Sequence, residues 1–314
     1  MRIFVAGATG VLGSRLVPEL ARRGHDVAAM TRSPEKAERL RSERVEPTVA
    51  DALDPRAVAA AVGRAEPEVV VHQLTALSEL GGAMRNIDRA FAMTNRLRTE
   101  GTDNLLAAAH SAGANRFLAQ SFAGWPYARE GGPVKDENDR LDPDPPANLG
   151  ETLGAIRHLE AATLDPDGIE GTVLRYGGFY GPGTTIARDG VHAEAVRRRR
   201  FPIVGDGDGV WSLVHVDDAA AATVAAIERR ATGLYNIVDD EPARVSEWVP
   251  ALADAMGARA PRRVPRWLGR LAAGDATVTM VTEARGASNA KARSELGWEL
   301  RYPSWRQGFR EGLD

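Results

Sequence analysis

The stretch GATGVLG, residues 7–13, lies between a short apolar run and a segment with the periodicity of an amphipathic helix. The run Ile3–Gly7 predicts a buried strand, and Val11–Arg23 predicts a helix. Glycines at this spacing suit a loop whose backbone amides approach a phosphate at a helix N-terminus. The stretch therefore predicts a strand–loop–helix unit that binds a dinucleotide pyrophosphate, although a glycine-rich turn without a ligand is the alternative. The expected contacts are Gly7, Thr9, Gly10, Val11, Leu12 and Gly13.

Strand and helix signals alternate outward from this unit. Further strands are predicted at His25–Met30, Val45–Ala50, Glu68–His72, Arg116–Gln120 and Gly171–Tyr176. Helices are predicted at Pro34–Arg41, Pro55–Val62, Thr99–Ala112 and Glu151–Leu164. Near-continuous apolar strands that alternate with helices indicate a parallel sheet covered on both faces. Since crossovers are right-handed, the fold class predicted is α/β, a doubly wound parallel Rossmann sheet.

The pattern changes after residue 181, where short strands mix with helices. The short strands, at Phe201–Val204, Ser212–Val216 and Leu234–Ile237, resemble an appended lobe more than further sheet. We therefore expect residues 1–180 to form the Rossmann domain, with a chain return to it near 205–240. Residues 181–314 are expected to form mainly a smaller C-terminal substrate lobe. The long loop Gly131–Asn148, rich in Pro, Gly and Asp, is expected to be disordered or a lid.

Composition excludes several classes of protein. The 314 residues carry a net charge of −3, so no bulk attraction to nucleic acid or to an anionic membrane is expected. Cysteine is absent, which excludes disulfides, thiolate catalysis and Cys-based zinc sites, and no metal is predicted. The N-terminus does not resemble a signal peptide, and there is no apolar run of membrane-spanning length. A cytoplasmic protein is expected.

The residues after the second strand bear on the choice of cofactor. An acidic side chain there suits the ribose of NAD, whereas an arginine suits the 2′-phosphate of NADP. Here Arg32 and Ser33 follow the strand, so NADP(H) is favoured over NAD(H), although an arginine facing solvent is the alternative. Asp51 is expected near the adenine, or else as a helix cap before Pro55. Ala52, Leu74 and Thr75 complete the predicted cofactor contacts.

The chain resembles the extended and atypical short-chain dehydrogenase/reductases, the NAD-dependent epimerase/dehydratase group. The resemblance covers nearly the whole chain and places the nicotinamide near the loops after strands five and six. The motifs that carry it, besides GATGVLG, are EGTDNLLAAA (Glu100–Ala109), LRYGGFYGPG (Leu174–Gly183), VGDGDGVWSLVHVDDAA (Val204–Ala220), YNIVDDEP (Tyr235–Pro242) and NAKARSELGW (Asn289–Trp298).

The chain departs from this group at the acid/base pair. Most members carry Tyr-x-x-x-Lys on the helix after strand five, where the lysine lowers the tyrosine pKa and holds the ribose. Aligning Glu160 with the group's usual glutamate puts Thr152 at the tyrosine position and Ile156 at the lysine position. No Tyr-x-x-x-Lys occurs anywhere in the sequence, which has only three lysines. The pair is absent rather than shifted.

Another residue would then have to move a proton. The group's catalytic Ser or Thr aligns with Phe122, and Ser121 lies one residue earlier, where bonding to the local backbone is the alternative. Candidates for catalysis are Ser121, Thr152 and Tyr176. Weaker candidates are Tyr127 and Tyr180, together with His72 and His158. For the two histidines the reason is that a lone histidine is more often structural. His215 is expected to be structural, and Asp217 and Asp218 are expected to cap a helix starting near Ala219.

The substrate expected from a third departure is apolar. Sugar-nucleotide members of the group usually grip the diphosphate with an arginine at the position of Trp211, and an indole cannot replace it. Core packing is the alternative role for Trp211. The predicted substrate pocket contains Phe122, Tyr127, Tyr180 and Trp211.

Three functions remain open from the sequence. The first is an NAD(P)-dependent oxidoreductase acting on a small, fairly apolar carbonyl or alcohol with a non-standard acid/base. The second is an epimerase, dehydratase or other enzyme that retains its cofactor without net redox. The third is a non-catalytic NADP(H)-binding regulatory protein. The resemblance also implies a homodimer that pairs through Thr94–Ala112 and Glu151–Leu164.

Overall fold

The computed structural model describes residues 1–77 and 86–314. Its strands are β1 (Arg2–Ala6), β2 (Asp26–Thr31), β3 (Val45–Val49), β4 (Val69–His72), β5 (Arg116–Phe122), β6 (Val134–Lys135), β7 (Glu170–Tyr176), β8 (Gly178–Tyr180), β9 (Ile203–Val204), β10 (Val210–Trp211), β11 (Leu213–His215), β12 (Gly233–Ile237), β13 (Ala243–Arg244), β14 (Arg263–Val264) and β15 (Gly286–Ala287).

The α-helices alternate with these strands and differ from the predicted bounds by few residues in the N-terminal half. They are α1 (Gly13–Arg22), α2 (Pro34–Leu40), α3 (Pro55–Ala65), α4 (Ile87–Ala90), α5 (Ala92–Arg98), α6 (Glu100–Ser111), α7 (Gly150–Leu164), α8 (Val191–Arg197), α9 (Val216–Glu228), α10 (Val245–Ala255), α11 (Arg266–Ala273), α12 (Asp275–Thr282), α13 (Ala290–Leu296) and α14 (Trp305–Glu311).

The central sheet has seven parallel strands in the order β12-β7-β5-β4-β1-β2-β3. The strand order reverses beside β1, since β2 pairs on one side of it and β4 on the other. In a doubly wound sheet, ligands bind in the crevice outside the carboxyl ends of strands at such a reversal. This confirms the predicted fold class and places GATGVLG, which follows β1, at that crevice.

Two apolar layers cover the sheet. On one face Val5, Leu118 and Leu174 pack with Leu16 of α1 and Val224 of α9. On the other face the alternate strand residues pack against α3 and α6; the buried members there include Phe4, Val70, Phe117, Val58 and Leu105. The alternation of strand side chains between two helix layers is the reason the strands are apolar along their whole length.

The strand at Gly233–Ile237 corrects one expectation. Leu234–Ile237 resembled part of the C-terminal lobe, but β12 pairs with β7 and forms the edge of the central sheet. The chain leaves the sheet after β7, contributes to the lobe, and returns before β12. The exact division between Rossmann domain and lobe stays a prediction.

The C-terminal lobe has its own aromatic core. Trp248 of α10 packs with Phe201 and Trp211, and Trp305 and Phe309 of α14 pack beside Tyr180. The loop Gly131–Asn148, for which disorder was one expectation, is tied down, because β6 within it pairs with β15.

Candidate functional site

The loop after β1 needs glycine at two positions for reasons internal to the fold. Gly7 has a φ of +96°, and a Cβ there would lie 2.7 Å from the carbonyl oxygen of Gln73. A Cβ on Gly13 would lie 2.2 Å from the carbonyl oxygen of Gly7. These two glycines therefore let the loop turn tightly and let α1 pack against it.

At position 10, in contrast, the packing of the fold does not require glycine. Gly10 is exposed, and a Cβ there would meet only the carbonyl oxygen of Gly7, at 3.3 Å. The helix that follows has no side-chain cap at Leu12 and no acidic residue in its first turn. The amides of Ser14, Arg15 and Leu16 already donate to backbone carbonyls, whereas those of Val11, Leu12 and Gly13 have no acceptor among the described residues. These three amides are therefore available to an anion, and the bare surface at Gly10 lets a phosphate approach them. The residues present fit a dinucleotide pyrophosphate.

Side chains next to this loop connect it to the end of β2. Thr9 and Thr31 lie with their hydroxyl oxygens 3.1 Å apart, and the backbone amide of Ser33 donates to the Thr31 oxygen. Ser33 also caps α2 by accepting from the amide of Lys36. Arg32 between them is exposed. This geometry puts Arg32 and Ser33 beside the phosphate loop, where the adenosine end of a dinucleotide would lie.

Other predicted cofactor contacts line the same edge of the sheet. Asp51 is exposed and binds the amide of Leu53, and the cap of α3 is Asp54, so the alternative role of Asp51 as that cap is wrong. Ala52 is buried, and Leu74 and Thr75 are half-buried just beyond β4. Asp51 is therefore left with an outward-facing carboxylate at the crevice.

Thr152 and Ile156, at the positions of the missing pair, are both buried in α7. The Thr152 hydroxyl donates to Asp88 at 2.6 Å and accepts from the Asn95 side chain at 3.1 Å. Asp88 also accepts the amides of Glu151 and Thr152, so it caps α7. Thr152 is thus held as part of a helix cap, and its hydroxyl is not directed at a substrate.

Ser121 and Tyr176, the other catalytic candidates, are also engaged internally. The Ser121 hydroxyl donates to Glu160 at 2.6 Å, which replaces the expected alternative of a backbone bond. Tyr176 ends β7 rather than lying in the following loop, and its hydroxyl meets the Thr223 hydroxyl at 2.7 Å. Burial raises the pKa of Tyr176 well above its ordinary value. Neither group is placed to exchange a proton near neutral pH.

A buried ionic network lies under the end of β5. Arg175 forms two hydrogen bonds to Glu160, at 2.7 and 2.5 Å, and a third to the Tyr127 hydroxyl at 3.1 Å. Tyr127 in turn donates to the Asn236 side chain at 2.6 Å. Tyr127 is fully buried, so its predicted place in the substrate pocket is wrong. The network joins β5, β7, β12 and α7 and fixes the chain that leaves β5.

The histidine candidates have structural contacts. His72 accepts the amide of Leu74 at Nδ1, so its Nε2 carries the proton and donates to the carbonyl oxygen of Leu97 at 3.2 Å. Burial lowers its pKa to about 4, and the nearby charge of Arg98 acts in the same direction. His158 is partly exposed and bonds to Asp103 on α6.

The region around His215 corrects the predicted helix cap. His215 accepts the amide of Asp217 and is itself the N-cap of α9, which begins at Val216. Asp217 pairs with Arg15, and Asp218 accepts the amides of Arg301 and Tyr302. The aspartates therefore anchor other segments. The structural role expected for His215 agrees with its contacts.

An apolar cleft opens at the carboxyl edge of the sheet. Phe122 and Trp211, both predicted for the substrate pocket, line it together with Trp125, Gly178 and Met280, and the cleft is open to solvent. No charged residue lines this cleft among the described residues. Trp211 also donates to the carbonyl oxygen of Met280 and stacks on Trp248, so it serves packing as well.

Two residues that line the cleft, Trp125 and Met280, were not predicted, and Tyr180, like Tyr127, was predicted wrongly. Trp125 follows β5 closely, and that position was the available signal for it, whereas Met280 is brought in from α12. Tyr180 is fully buried against Phe309 and His215, so its predicted place in the pocket is wrong.

A small neighbouring pocket shares Trp125 and Met280 with the cleft and reaches the loop at Asp142. Arg129 binds Asp142 there at 2.7 Å. No group of side chains that could hold a metal ion occurs among residues 1–77 and 86–314. Within the same residues, no helix is long and apolar enough to cross a membrane.

Three features together define a dinucleotide-dependent α/β enzyme. They are the crevice where the strand order reverses beside β1, the glycine loop that follows β1, and the apolar cleft. The model of the NAD dependent epimerase/dehydratase family matches residues 3–238, and the chain belongs to this family. It is thus an NAD(P)-dependent oxidoreductase or epimerase/dehydratase, as the sequence motifs predicted.

Relatives with reductase names cover most of the chain. A 3-diazoavenalumate denitrifying reductase from a Streptomyces species is 48% identical over 310 residues, which is 98% of this chain and 99% of the relative. A 2-alkyl-3-oxoalkanoate reductase from Stenotrophomonas maltophilia is 30% identical, covering 82% of this chain and 76% of the relative.

Solved structures share the fold at lower identity. UDP-glucose 4-epimerase from Thermus thermophilus, in complex with NAD, is 23% identical with a TM-score of 0.74 and covers 100% of this chain and 98% of that one. A human epimerase family protein with NADPH is 19% identical with a TM-score of 0.76 and covers 100% and 99%. The family's structures thus include both cofactors.

Proposed function

We propose that this protein is an NADPH-dependent reductase of a small, flat aromatic substrate, and that it replaces a diazo group of that substrate by hydrogen. The observation that carries the proposal is that the three candidate hydroxyls for general acid catalysis, all among the residues that the structure describes, are engaged internally. Ser121, Thr152 and Tyr176 are each committed to an internal partner, and the Tyr/Lys pair is absent.

The chemistry of the two kinds of reduction explains why that loss matters. When bound, the reduced dinucleotide supplies a hydride. A ketone that accepts hydride becomes an alkoxide and needs a proton from the enzyme. An aryl diazonium ion is already cationic, so hydride addition gives a neutral aryldiazene, which loses N₂ to leave the arene. The net reaction consumes no proton, and an enzyme for it needs no Tyr/Lys pair.

The cleft suits such a substrate. Phe122, Trp125 and Trp211 present aromatic surfaces to a flat ring, and aromatic faces also attract a cationic group. The cleft carries no lysine or arginine that would repel a diazonium ion, among the described residues. The protein's task is therefore to hold the ring against the cofactor and exclude water. The diazo substrate in the name of the Streptomyces relative supports this choice.

The cofactor preference is part of the proposal. Arg32 and Ser33 lie beside the phosphate loop at the end of β2, and in the sequence after this strand no acidic residue precedes Glu35 at the position that would favour the ribose of NAD. An arginine fork binds a 2′-phosphate by charge-assisted hydrogen bonds. NADPH is thus the expected hydride source.

The test uses purified protein, NADPH and two matched probes, 4-methoxybenzenediazonium and 4-methoxyacetophenone. We expect methoxybenzene and oxidised dinucleotide to form one for one with the diazonium salt, well above the rate without protein, and no reduction of the ketone. Reduction of the ketone, with the diazonium salt consumed no faster than without protein, would contradict the proposal.

Ketone reduction is the second candidate, because a relative that is 30% identical is named an oxoalkanoate reductase. It requires a proton donor other than the three hydroxyls described above. Two further outcomes separate the remaining functions. A dinucleotide that stays bound through purification without net redox would indicate an epimerase or dehydratase. Binding without any turnover would indicate a regulatory protein.

We also propose that the protein is a homodimer that pairs through α6 and α7. Small or short side chains on these helices face solvent, namely Ala107, Gly154 and Ala161. A Cβ on Gly154 would meet nothing within 4 Å, so another helix has room to approach closely. Such faces suit the helix pairing that the family resemblance implies.

A further inference from the structure

Arg98, the last residue of α5, brings a positive charge into the interior. Its side chain is only 5% exposed, and Nη1 has no hydrogen-bond acceptor among residues 1–77 and 86–314. Burial lowers its pKa to about 10 while the charge of Glu160 acts in the opposite direction, so the group stays cationic near neutral pH. Since a buried guanidinium nitrogen without an acceptor is costly, Nη1 calls for an acceptor that the described residues do not provide.

Its neighbours place Arg98 near the ends of two central strands. The preceding residue, Leu97, accepts a hydrogen bond from His72 at the end of β4, and Thr94 accepts the amide of Ala76 just beyond it. The charge of Arg98 acts on both His72 and Glu160, and Glu160 binds Ser121 at the end of β5. Arg98 therefore lies by the carboxyl ends of β4 and β5, near the apolar cleft.

Because α5 packs against α7, the position of Arg98 can be compared with that of the family's lysine on α7. The family's lysine would stand on α7 at Ile156, which is buried and apolar here. Glu160, one helical turn further along α7, interacts with Arg98 across the helix pair. A cation is thus present in the same part of the molecule, but it comes from the neighbouring helix.

We propose that Arg98 binds the nicotinamide half of the dinucleotide, through the ribose hydroxyls or the carboxamide oxygen, and enters the site from α5 instead of α7. The inference rests on the proposed dinucleotide-dependent function. The bound dinucleotide supplies the acceptor that Nη1 lacks among residues 1–77 and 86–314. The chemistry recognised is a neutral, oxygen-rich group, which the planar guanidinium fork can bind at two points.

The test compares ligand binding with stability in Arg98→Met. Fluorescence titration uses two probes, NADPH and 2′,5′-ADP, because the second has the adenosine half but no nicotinamide. Loss of a charged hydrogen bond is expected to raise the Kd for NADPH about tenfold or more and to leave the Kd for 2′,5′-ADP unchanged. The Tm of the ligand-free variant is expected to equal or exceed that of the wild type, since the substitution removes a buried charge.

Two further variants sharpen the result. Arg96→Met is the matched control, because Arg96 lies on the same helix but is exposed and paired with Glu100, and we expect no change in either Kd. Arg98→Lys keeps the charge without the fork, so its Kd for NADPH is expected to rise less than that of the methionine variant. This second variant gives an answer even if Arg98→Met does not fold.

Three outcomes would overturn the inference. One is a Kd for NADPH within about twofold of the wild type in both Arg98 variants. Another is equal weakening of both probes together with a lower Tm, which would make Arg98 structural. The third is wild-type protein that binds neither probe, and this result alone would also overturn the proposed function.

Discussion

At the scale of single residues, the main finding is that side chains of catalytic type are used to hold the fold together. Ser121 donates a hydrogen bond to the buried carboxylate of Glu160, and Thr152 donates one to the aspartate that caps α7. Tyr176 forms a hydrogen bond with Thr223 across the interface between the sheet and α9. A hydroxyl already engaged by a buried partner makes a poor proton donor to a substrate. The reaction proposed above is one that makes no such demand.

The choice of cofactor depends on Arg32. Replacing Arg32 by Ala is expected to raise the Kd for NADPH about tenfold, because a charged contact with the 2′-phosphate is lost. The Kd for NADH should change little, since NADH lacks that phosphate. Fluorescence titration of the wild type and of Arg32→Ala with NADPH and with NADH measures these Kd values. Wild-type protein that prefers NADH would contradict the role of Arg32 while leaving the fold untouched.

His72 makes stability depend on pH. Its folded pKa of about 4 lies below the ordinary value of about 6.5, so the unfolded chain binds more protons between these pH values. The free energy of unfolding therefore falls as the pH drops from about 6.5 to about 4, by at most about 3 kcal/mol from this group. In His72→Gln that part of the slope should disappear in urea denaturation at a series of pH values.

The control for His72 is the same urea series above about pH 8, where His72 is neutral in the folded and the unfolded chain, so that the variant and the wild type should show the same slope. An unchanged slope in His72→Gln would show that His72 does not contribute to the acid sensitivity of the fold.

At the scale of elements, the loop between β1 and α1 contains one glycine that the fold requires, Gly13, and another, Gly10, that we expect to serve dinucleotide binding. Gly13→Ala would drive a methyl group into the carbonyl oxygen of Gly7, and we expect a loss of about 3 kcal/mol or more in stability. Gly10→Ala meets only a 3.3 Å contact and should cost less than about 1 kcal/mol. It should nevertheless weaken dinucleotide binding, because the methyl group lies where the phosphate approaches.

Thermal unfolding and NADPH titration of the two glycine variants measure these two effects. Normal binding by a folded Gly10→Ala protein would show that the pyrophosphate does not lie against this residue. The pair is informative because both substitutions add the same methyl group to the same loop.

The ion pair between β7 and α7 is a second test at this scale. Arg175→Met leaves Glu160 charged and buried without its main partner, and we expect a loss of about 3–5 kcal/mol in the free energy of unfolding. The double variant Arg175→Met with Glu160→Leu should recover part of that loss, because Glu160 is no longer an unpaired charge, while Arg98 loses the opposing charge of Glu160. Chemical denaturation of the wild type, both single variants and the double variant would measure the coupling, and additive losses would contradict it.

Local elements could be predicted from the sequence, because their signals lie within a few residues of one another. The glycine loop and the six central-sheet strands between Arg2 and Tyr176 depend on such short-range patterns. The true environments of Ser121, Thr152 and Tyr127 could not be predicted, since each partner comes from another element. Met280 was missed for the same reason. Among the cleft residues, Phe122 had a local signal at the end of β5, and Trp211 had one in the motif Val204–Ala220.

At the scale of the whole molecule, the proposed dimer leads to a direct test. Ala161→Arg places a long charged side chain on the exposed face of α7, where a partner helix would pack. We expect the wild type to elute as a dimer and the variant as a monomer in size-exclusion chromatography with light scattering. Arg23→Ala, at the far end of α1, should leave the assembly unchanged. A monomeric wild type would contradict the proposal.

The position of β12 has a consequence for how the protein is made. Ribosomes deliver the chain from its amino end, and the edge strand of the main sheet is delivered only at Gly233–Ile237. Until then β7 has one unpaired edge, and an uncovered row of backbone amides invites pairing with other chains. A product that stops anywhere between residues 181 and 232 would therefore be a Rossmann domain with an open flank, prone to aggregation. The substrate lobe cannot be removed by simple truncation, and shortened forms for crystallography or engineering must retain β12.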